Sequence, residues 1–212
     1  DLEKDNLLYP CLADSRDHIW FTSSTGVYEY LPAENKWNHY NGEGVPDIPP
    51  MTNTTYIAED RQGHIWVTTQ NNGLYEIILS AGKPVINNYG RNSGIGLNTD
   101  YCIKLKADKK TGIFSLSTIN GLHRFDPVNK RIISNLSVQN GLARDGGGYS
   151  YNITDNNKLV AMYYGIASVI DLDTYRFNDQ PPLVDLTSVR VMDKEYLHTL
   201  ITGDAVTLNY NQ

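Results

Sequence analysis

At 212 residues with 40% hydrophobic side chains and a mean hydropathy of −0.42, the chain is long enough to bury a core, and no apolar run approaches the roughly 18 to 20 residues of a membrane span. Its 18 basic against 24 acidic residues give a net charge of −6 and no basic stripe of the kind a phosphate backbone needs, which makes nucleic acid and an anionic bilayer poor partners, and no direct nucleic acid contact is expected of this segment. The 15 tyrosines favour strands and flat binding surfaces over helices.

Taken in chain order, the N-terminus Asp1-Leu2-Glu3-Lys4-Asp5 lacks the basic start and apolar middle of a signal peptide. The first patterned segment runs from Asp14 through Ile19-Trp20-Phe21-Thr22 to Gly26-Val27-Tyr28-Glu29. The second repeats it as Asp60-Arg61-Gln62-Gly63-His64-Ile65-Trp66-Val67-Thr68, followed by Gly73-Leu74-Tyr75-Glu76. A third copy has Asp108, Gly112-Ile113-Phe114-Ser115 and Gly121-Leu122-His123; a degenerate fourth has Asp155, Leu159-Val160-Ala161 and Gly165-Ile166. The steps are 46 residues from Trp20 to Trp66, 48 from Trp66 to Phe114 and 46 from Phe114 to Val160. A period of this size marks a repeat architecture.

Turn signals cut each copy into four short β runs; in the second copy these are residues 54–59, 64–69, 73–78 and 84–89. Four antiparallel strands in 40 to 50 residues make one β-propeller blade, so the fold class is all-β: three full blades and a partial fourth over residues 1–178. Asp14, Asp60 and Asp108 are expected to cap the turn between the first and second strands, with Gly63 and Gly112 at positive φ. Trp20, Trp66 and Phe114 read as inter-blade core rather than sugar-stacking rings. Gly26, Gly73, Gly121 and Gly165 start third strands, where the backbone is left-handed or crowded. Cys11 and Cys102 occupy non-equivalent places in different copies and read as two buried or half-buried thiols rather than a disulfide.

The pattern Asp-x-x-Gly-x-Ile-Trp-x-x-Thr-x-x-Gly-Leu-Tyr, with Gly44-Val45, Gly96-Leu97 and Gly141-Leu142 before the next first strands, resembles the two-component regulator propeller repeat. The resemblance covers residues 7 to about 178; Phe114 replaces Trp, Ser117 a Thr, and Asp17 the pattern's Gly. Pro181-Pro182-Leu183-Val184-Asp185-Leu186 and Val206-Thr207-Leu208-Asn209-Tyr210 resemble the opening strands of the Ig-like domain, named for its three tyrosines, that follows such propellers, giving a second region over 179–212. The resemblance implies the periplasmic sensor region of a hybrid two-component system, dimeric, recognising an oligosaccharide and relaying binding to transcriptional control of glycan use. The membrane would be met only through C-terminal regions not present here, and kinase activity belongs to the full receptor. Because family members carry seven-bladed propellers, the incomplete blade count implies a piece of a larger one. An arc of blades with unpaired strands at both ends is then expected to associate.

No catalytic, metal-binding or cofactor-binding constellation emerges. His18, His39, His64, His123 and His198 are scattered, and neither Cys-x-x-Cys nor Gly-x-Ser-x-Gly occurs. Alternating strand direction places the second-to-third and fourth-to-first connections on one face, rich in Asn, Tyr, Arg and Gly. Planar amides and guanidinium groups hold sugar hydroxyls and flat rings stack on pyranose faces, so the ligand-binding candidates are Tyr40, Asn71, Asn72, Arg91, Arg144 and Tyr149. Two alternatives stay open: a scaffold or dimerisation segment with no ligand of its own, and a propeller glycosidase or lyase using paired carboxylates.

Overall fold

The computed structural model of the protein describes residues 9–80, 83–145, 148–175, 190–191 and 194–195. Two compact units divide the chain, Asp1–Phe177 and Asn178–Gln212. In the first, three four-stranded antiparallel sheets follow one another in sequence. They comprise β1 (Tyr9–Ala13), β2 (Ile19–Ser23), β3 (Gly26–Leu31) and β4 (Lys36–Tyr40); β5 (Thr54–Glu59), β6 (Ile65–Thr69), β7 (Leu74–Ile78) and β8 (Val85–Tyr89); and β9 (Cys102–Ala107), β10 (Phe114–Thr118), β11 (Gly121–Asp126) and β12 (Arg131–Leu136). Each is a meander with strands in chain order. A fourth sheet holds β13 (Ser150–Ile153), β14 (Lys158–Tyr163) and β15 (Ile166–Asp171).

In the second unit, Arg190–Val191 (β16) and Lys194–Glu195 (β17) pair antiparallel. The remainder of the Ig-like strands expected over 181–191 and 206–212 lies outside the described residues.

Period-two alternation explains how the sheets stack. Ile65, Val67, Tyr75 and Ile77 point from the second blade into a core shared with Trp20, Val27 and Tyr40 of the first. Trp66, Leu74 and Ala58 point the other way, against Leu105, Phe114, Leu116 and Phe125 of the third. A third layer joins Leu122 and Leu136 to Tyr149, Tyr151, Leu159 and Ile170. All five residues of β6 are therefore buried, whereas in β2 Ile19 and Phe21 are only half-buried. First strands of successive blades lie side by side: Thr55 Oγ1 donates to the Cys102 carbonyl (2.9 Å) and Lys104 Nζ to the Tyr151 carbonyl (2.8 Å).

Trp20, Trp66 and Phe114 are inter-blade core, as their spacing predicts. Trp66 is fully buried, 5.0 Å from the Phe125 ring and 5.6 Å from Tyr89. Gly73 at φ +73° opens the third strand of its blade, and a Cβ there would run into the Tyr89 carbonyl. Cys102 is a free, buried thiol, pushed up to about 12 by burial and the nearby Asp100 charge.

Candidate functional site

The repeated acids do the turn-capping work expected of them. Asp60 Oδ1 accepts the backbone N–H groups of Gln62 (2.8 Å) and His64 (3.0 Å), and its Oδ2 accepts the Trp66 indole N–H (2.7 Å). Asp14 does the same for Arg16, His18 and Trp20. Asp17 takes the left-handed turn position with φ 62°. Burial works to raise the Asp14 carboxyl, yet the indole, the backbone donors and the Arg16 charge together hold it below the usual carboxylate range.

Behind the capped turns of the first two blades sits a network that the sequence pattern does not announce. His18 Nδ1 lies 2.7 Å from Glu29 Oε1, and Glu29 Oε2 accepts Asn38 (2.8 Å) and Tyr40 (2.6 Å). In the second blade, His64 lies 2.8 Å from Glu76, which accepts Asn87 and Tyr89 (both 3.0 Å) and pairs with Lys130 of the third blade. The histidines look scattered in sequence, yet Asp14-His18-Glu29 and Asp60-His64-Glu76 each gather ligand atoms within 4.8 Å of one another. Protein donors already occupy these carboxylates, and the Lys130 ammonium stands where a cation would be needed at Glu76. Position-by-position pairing could have exposed this network: Glu29 and Glu76 stand three residues after the strand-opening Gly26 and Gly73.

The opposite end of the blades is built from irregular loops stitched together by backbone hydrogen bonds. Asn53 N–H donates to Ser24 O (2.9 Å), Gln70 to Asn53 O (3.1 Å), Gly73 to Asp100 O (2.9 Å) and Ile119 to Tyr101 O (3.1 Å). These bonds hold the loops in place before any ligand arrives.

Two clefts open on this face. The first, about 270 Å³, is lined by Pro49, Asn72, Asn88, Gly90, Arg91, Asn92, Ser93 and Asp100. Asn72 Nδ2 donates to Pro50 O (3.1 Å) and Asn88 Nδ2 to Asn72 O (2.7 Å); Arg91 Nε sits 3.4 Å from Asp100 Oδ2, whose companion oxygen accepts the Arg91 backbone N–H at 2.7 Å. The second, about 490 Å³, is lined by Tyr101, Ile103, Ile119, Gly148, Ser150, Met162, Tyr163 and Tyr164. Asp100 and Tyr101 are adjacent in the chain, so the clefts adjoin.

Of the six candidates, Asn72 and Arg91 come together in the first cleft, with Asn71 exposed beside them. Arg144 is exposed next to the second cleft, its guanidinium 5.0 Å from the centre of the Tyr163 ring. Tyr40 and Tyr149 are corrections. Tyr40 is 9% exposed, stacks on Trp20 at 5.4 Å and gives its hydroxyl to Glu29; burial first, then Glu29, raises its pKa. Tyr149 is 1% exposed and gives its hydroxyl to the Arg144 carbonyl at 2.6 Å. Neither ring has a free face, because at a strand terminus the side chain follows strand parity into the inter-blade layer.

The two component regulator propeller family matches residues 47–71. No curated protein matches the chain. Among solved structures, the extracellular domain of a hybrid two component system from B. thetaiotaomicron is similar at TM-score 0.66 and 17% identity, over 80% of this chain and 23% of that one. Virginiamycin B lyase from Staphylococcus aureus is similar at TM-score 0.53 and 13% identity, over 79% of this chain and 56% of that one. At these identities the likeness is one of fold, and the chain spans about a quarter of the hybrid-system domain's length. The chain carries a two-component regulator propeller repeat at residues 47–71, set in blades folded as in the extracellular domain of that hybrid two-component system.

Proposed function

We propose that this chain is an extracytoplasmic, periplasmic sensor segment of a hybrid two-component receptor, that it holds an oligosaccharide on its loop face, and that the receptor relays binding to transcriptional control of glycan use as a homodimer. One observation carries the reading: the regular residues of the repeat are consumed in the scaffold, while amides, a guanidinium and aromatic rings collect in two adjoining open clefts at one end of the blades. Open clefts with a few convergent polar groups over flat apolar surface are where neutral and charged sugars are held. The repeat at 47–71 and the shared blade fold support the receptor assignment.

A scaffold reading has its own support. The side of the first blade facing away from the second carries Phe21, Tyr30 and Trp37, with ring centroids 5.5 and 4.8 Å apart and Trp37 41% exposed; the matching positions Val67, Ile77 and Ile86 in the second blade pack between blades. That side fits another sheet and suits a segment that only mediates assembly. A glycosidase or lyase needs a carboxyl free to exchange a proton, and the repeated acids Asp14, Asp60 and Asp108 are all engaged in capping their turns.

Calorimetry with a panel of oligosaccharides separates these readings. The sensor reading expects saturable binding that Arg91→Ala weakens by about tenfold, the loss of one charge-assisted contact. Assembly without binding of any oligosaccharide leaves the scaffold reading, and release of cleaved product leaves the enzyme.

A further inference from the structure

We infer that the second cleft, between the third and fourth blades, is a subsite for an acidic pyranose, with Tyr164 as the stacking ring, Tyr163 as its support and Arg144 as the partner of the sugar's carboxylate or sulfate. This rests on the reading of the same face as a glycan-binding surface and adds the chemical class of the sugar.

Tyr164 is the first observation. It is 90% exposed, on a residue type that normally buries most of its ring. It stands immediately before Gly165 in the β14–β15 turn, where the other blades place Thr25, Asn72 and Asn120 before Gly26, Gly73 and Gly121. Its φ is +43° and that of Gly165 +82°. Two consecutive left-handed residues call for Asn-Gly or Gly-Gly, and a bulky ring there is conformationally unfavourable. A ring so exposed adds little burial to the fold, and backbone strain of this kind concentrates where a ligand is clamped.

Its surroundings form a platform. Tyr163 meets Tyr164 edge-to-face at 4.6 Å and Tyr149 at 5.3 Å, so a buried ring anchors the exposed pair. Arg144 lies over Tyr163 and donates through Nη1 to the Tyr163 hydroxyl (3.2 Å) and through Nε to the Asp145 carbonyl (3.4 Å). A guanidinium has five N–H donors, so donors remain for a ligand oxygen beside the ring face.

Charge distinguishes the two clefts. In the first, Arg91 is paired with Asp100. In the second no lining residue is acidic, no carboxylate among the described residues pairs with Arg144, and the neighbouring Asp145 carboxylate accepts Val138 N–H (2.8 Å) instead. On a chain of net charge −6, an arginine without a carboxylate partner at the edge of an aromatic cleft selects for an anion carried on a flat ring.

The test is calorimetric titration with tetragalacturonate, with its fully methyl-esterified form, which keeps the rings and removes the charge, and with maltotetraose. The expected result is binding of the acid about tenfold tighter than the ester, with Arg144→Gln abolishing that preference. Tyr164→Gly should weaken the acid by about tenfold or more while leaving the melting temperature unchanged or higher, since glycine suits this φ. Equal affinity for acid and ester, or tight binding of tetragalacturonate by Tyr164→Gly, overturns the subsite. Loss of binding in Arg91→Ala alone, with maltotetraose as the favoured sugar, also overturns it and leaves the sensor reading standing. No binding by any of the three sugars overturns both.

Discussion

The second and third blades meet the same need with opposite charges. In the second, buried Asp60 is satisfied by the Trp66 indole, and Glu76 behind it by His64, Asn87, Tyr89 and Lys130. In the third, Phe114 has no N–H to offer, and Arg124, three residues after Gly121 as Glu76 is after Gly73, reaches Asp108 at 3.2 Å and Ser115 at 3.0 Å. What the repeat conserves physically is a donor for a buried carboxylate, not a particular side chain. The Trp-to-Phe change that makes the third copy look degenerate is compensated one strand over.

The largest test of that comparison is Arg124→Ala. Asp108 is fully buried and Arg124 is 5% exposed, so removing the cation leaves a carboxylate without its charged partner; the expected cost is about 3–5 kcal/mol in urea unfolding. A loss under about 1 kcal/mol would mean that the backbone donors alone satisfy Asp108. Trp66→Phe, which copies the third blade without its arginine, should cost about 1–3 kcal/mol, with positive coupling to Asp60→Asn in a double-mutant cycle. The reverse change, Phe114→Trp, gains no partner because Asp108 is already paired and should destabilise through overpacking by about 1–3 kcal/mol.

Acid sharpens the comparison further. Burial opposes ionisation of Glu76 and Asp108, but Lys130, Asn87 and Tyr89 in one case, and the Lys110 and Thr111 donors with Arg124 in the other, hold both carboxyls below their ordinary values. Groups depressed in the folded state contribute fully above their unfolded values of about 4 and lose that contribution as pH falls through the folded values. Burial also holds the His123 imidazole below its ordinary value, so urea stability should start to fall as pH drops through about 6.5 and decline further below about 4, and Lys130→Met should flatten the second decline. The smallest effect concerns Cys102, whose raised thiol should resist alkylation at pH 8 until the protein unfolds; rapid labelling of the native chain would place it on an opened surface.

The blade was legible in the sequence because its signals are local. The Asp-to-Trp interval, the strand-opening glycines and the turn clusters all lie within one copy, and the four strands of the second blade fall within one residue of the expected bounds. The candidate site was legible only in part, because it depends on neighbours across blades. Asn72 meets Arg91 and Asp100 through the packing of separate loops, which composition does not encode. Tyr40 and Tyr149 were misplaced for the same reason: membership in a loop-rich segment does not tell which way a strand-end ring points. Tyr163 and Tyr164 were missed because the fourth copy reads as a worn repeat, although Tyr-Tyr before Gly165 departs from the polar residues before Gly73 and Gly121.

The central claim is that recognition belongs to the irregular loops and the repeat residues serve the scaffold. Hydrogen exchange with and without a bound oligosaccharide tests it most directly. The account predicts new protection in residues 88–101 and 162–165, around the two clefts, and none at the capped turns of Asp14, Asp60 and Asp108. Protection centred on those turns would contradict it.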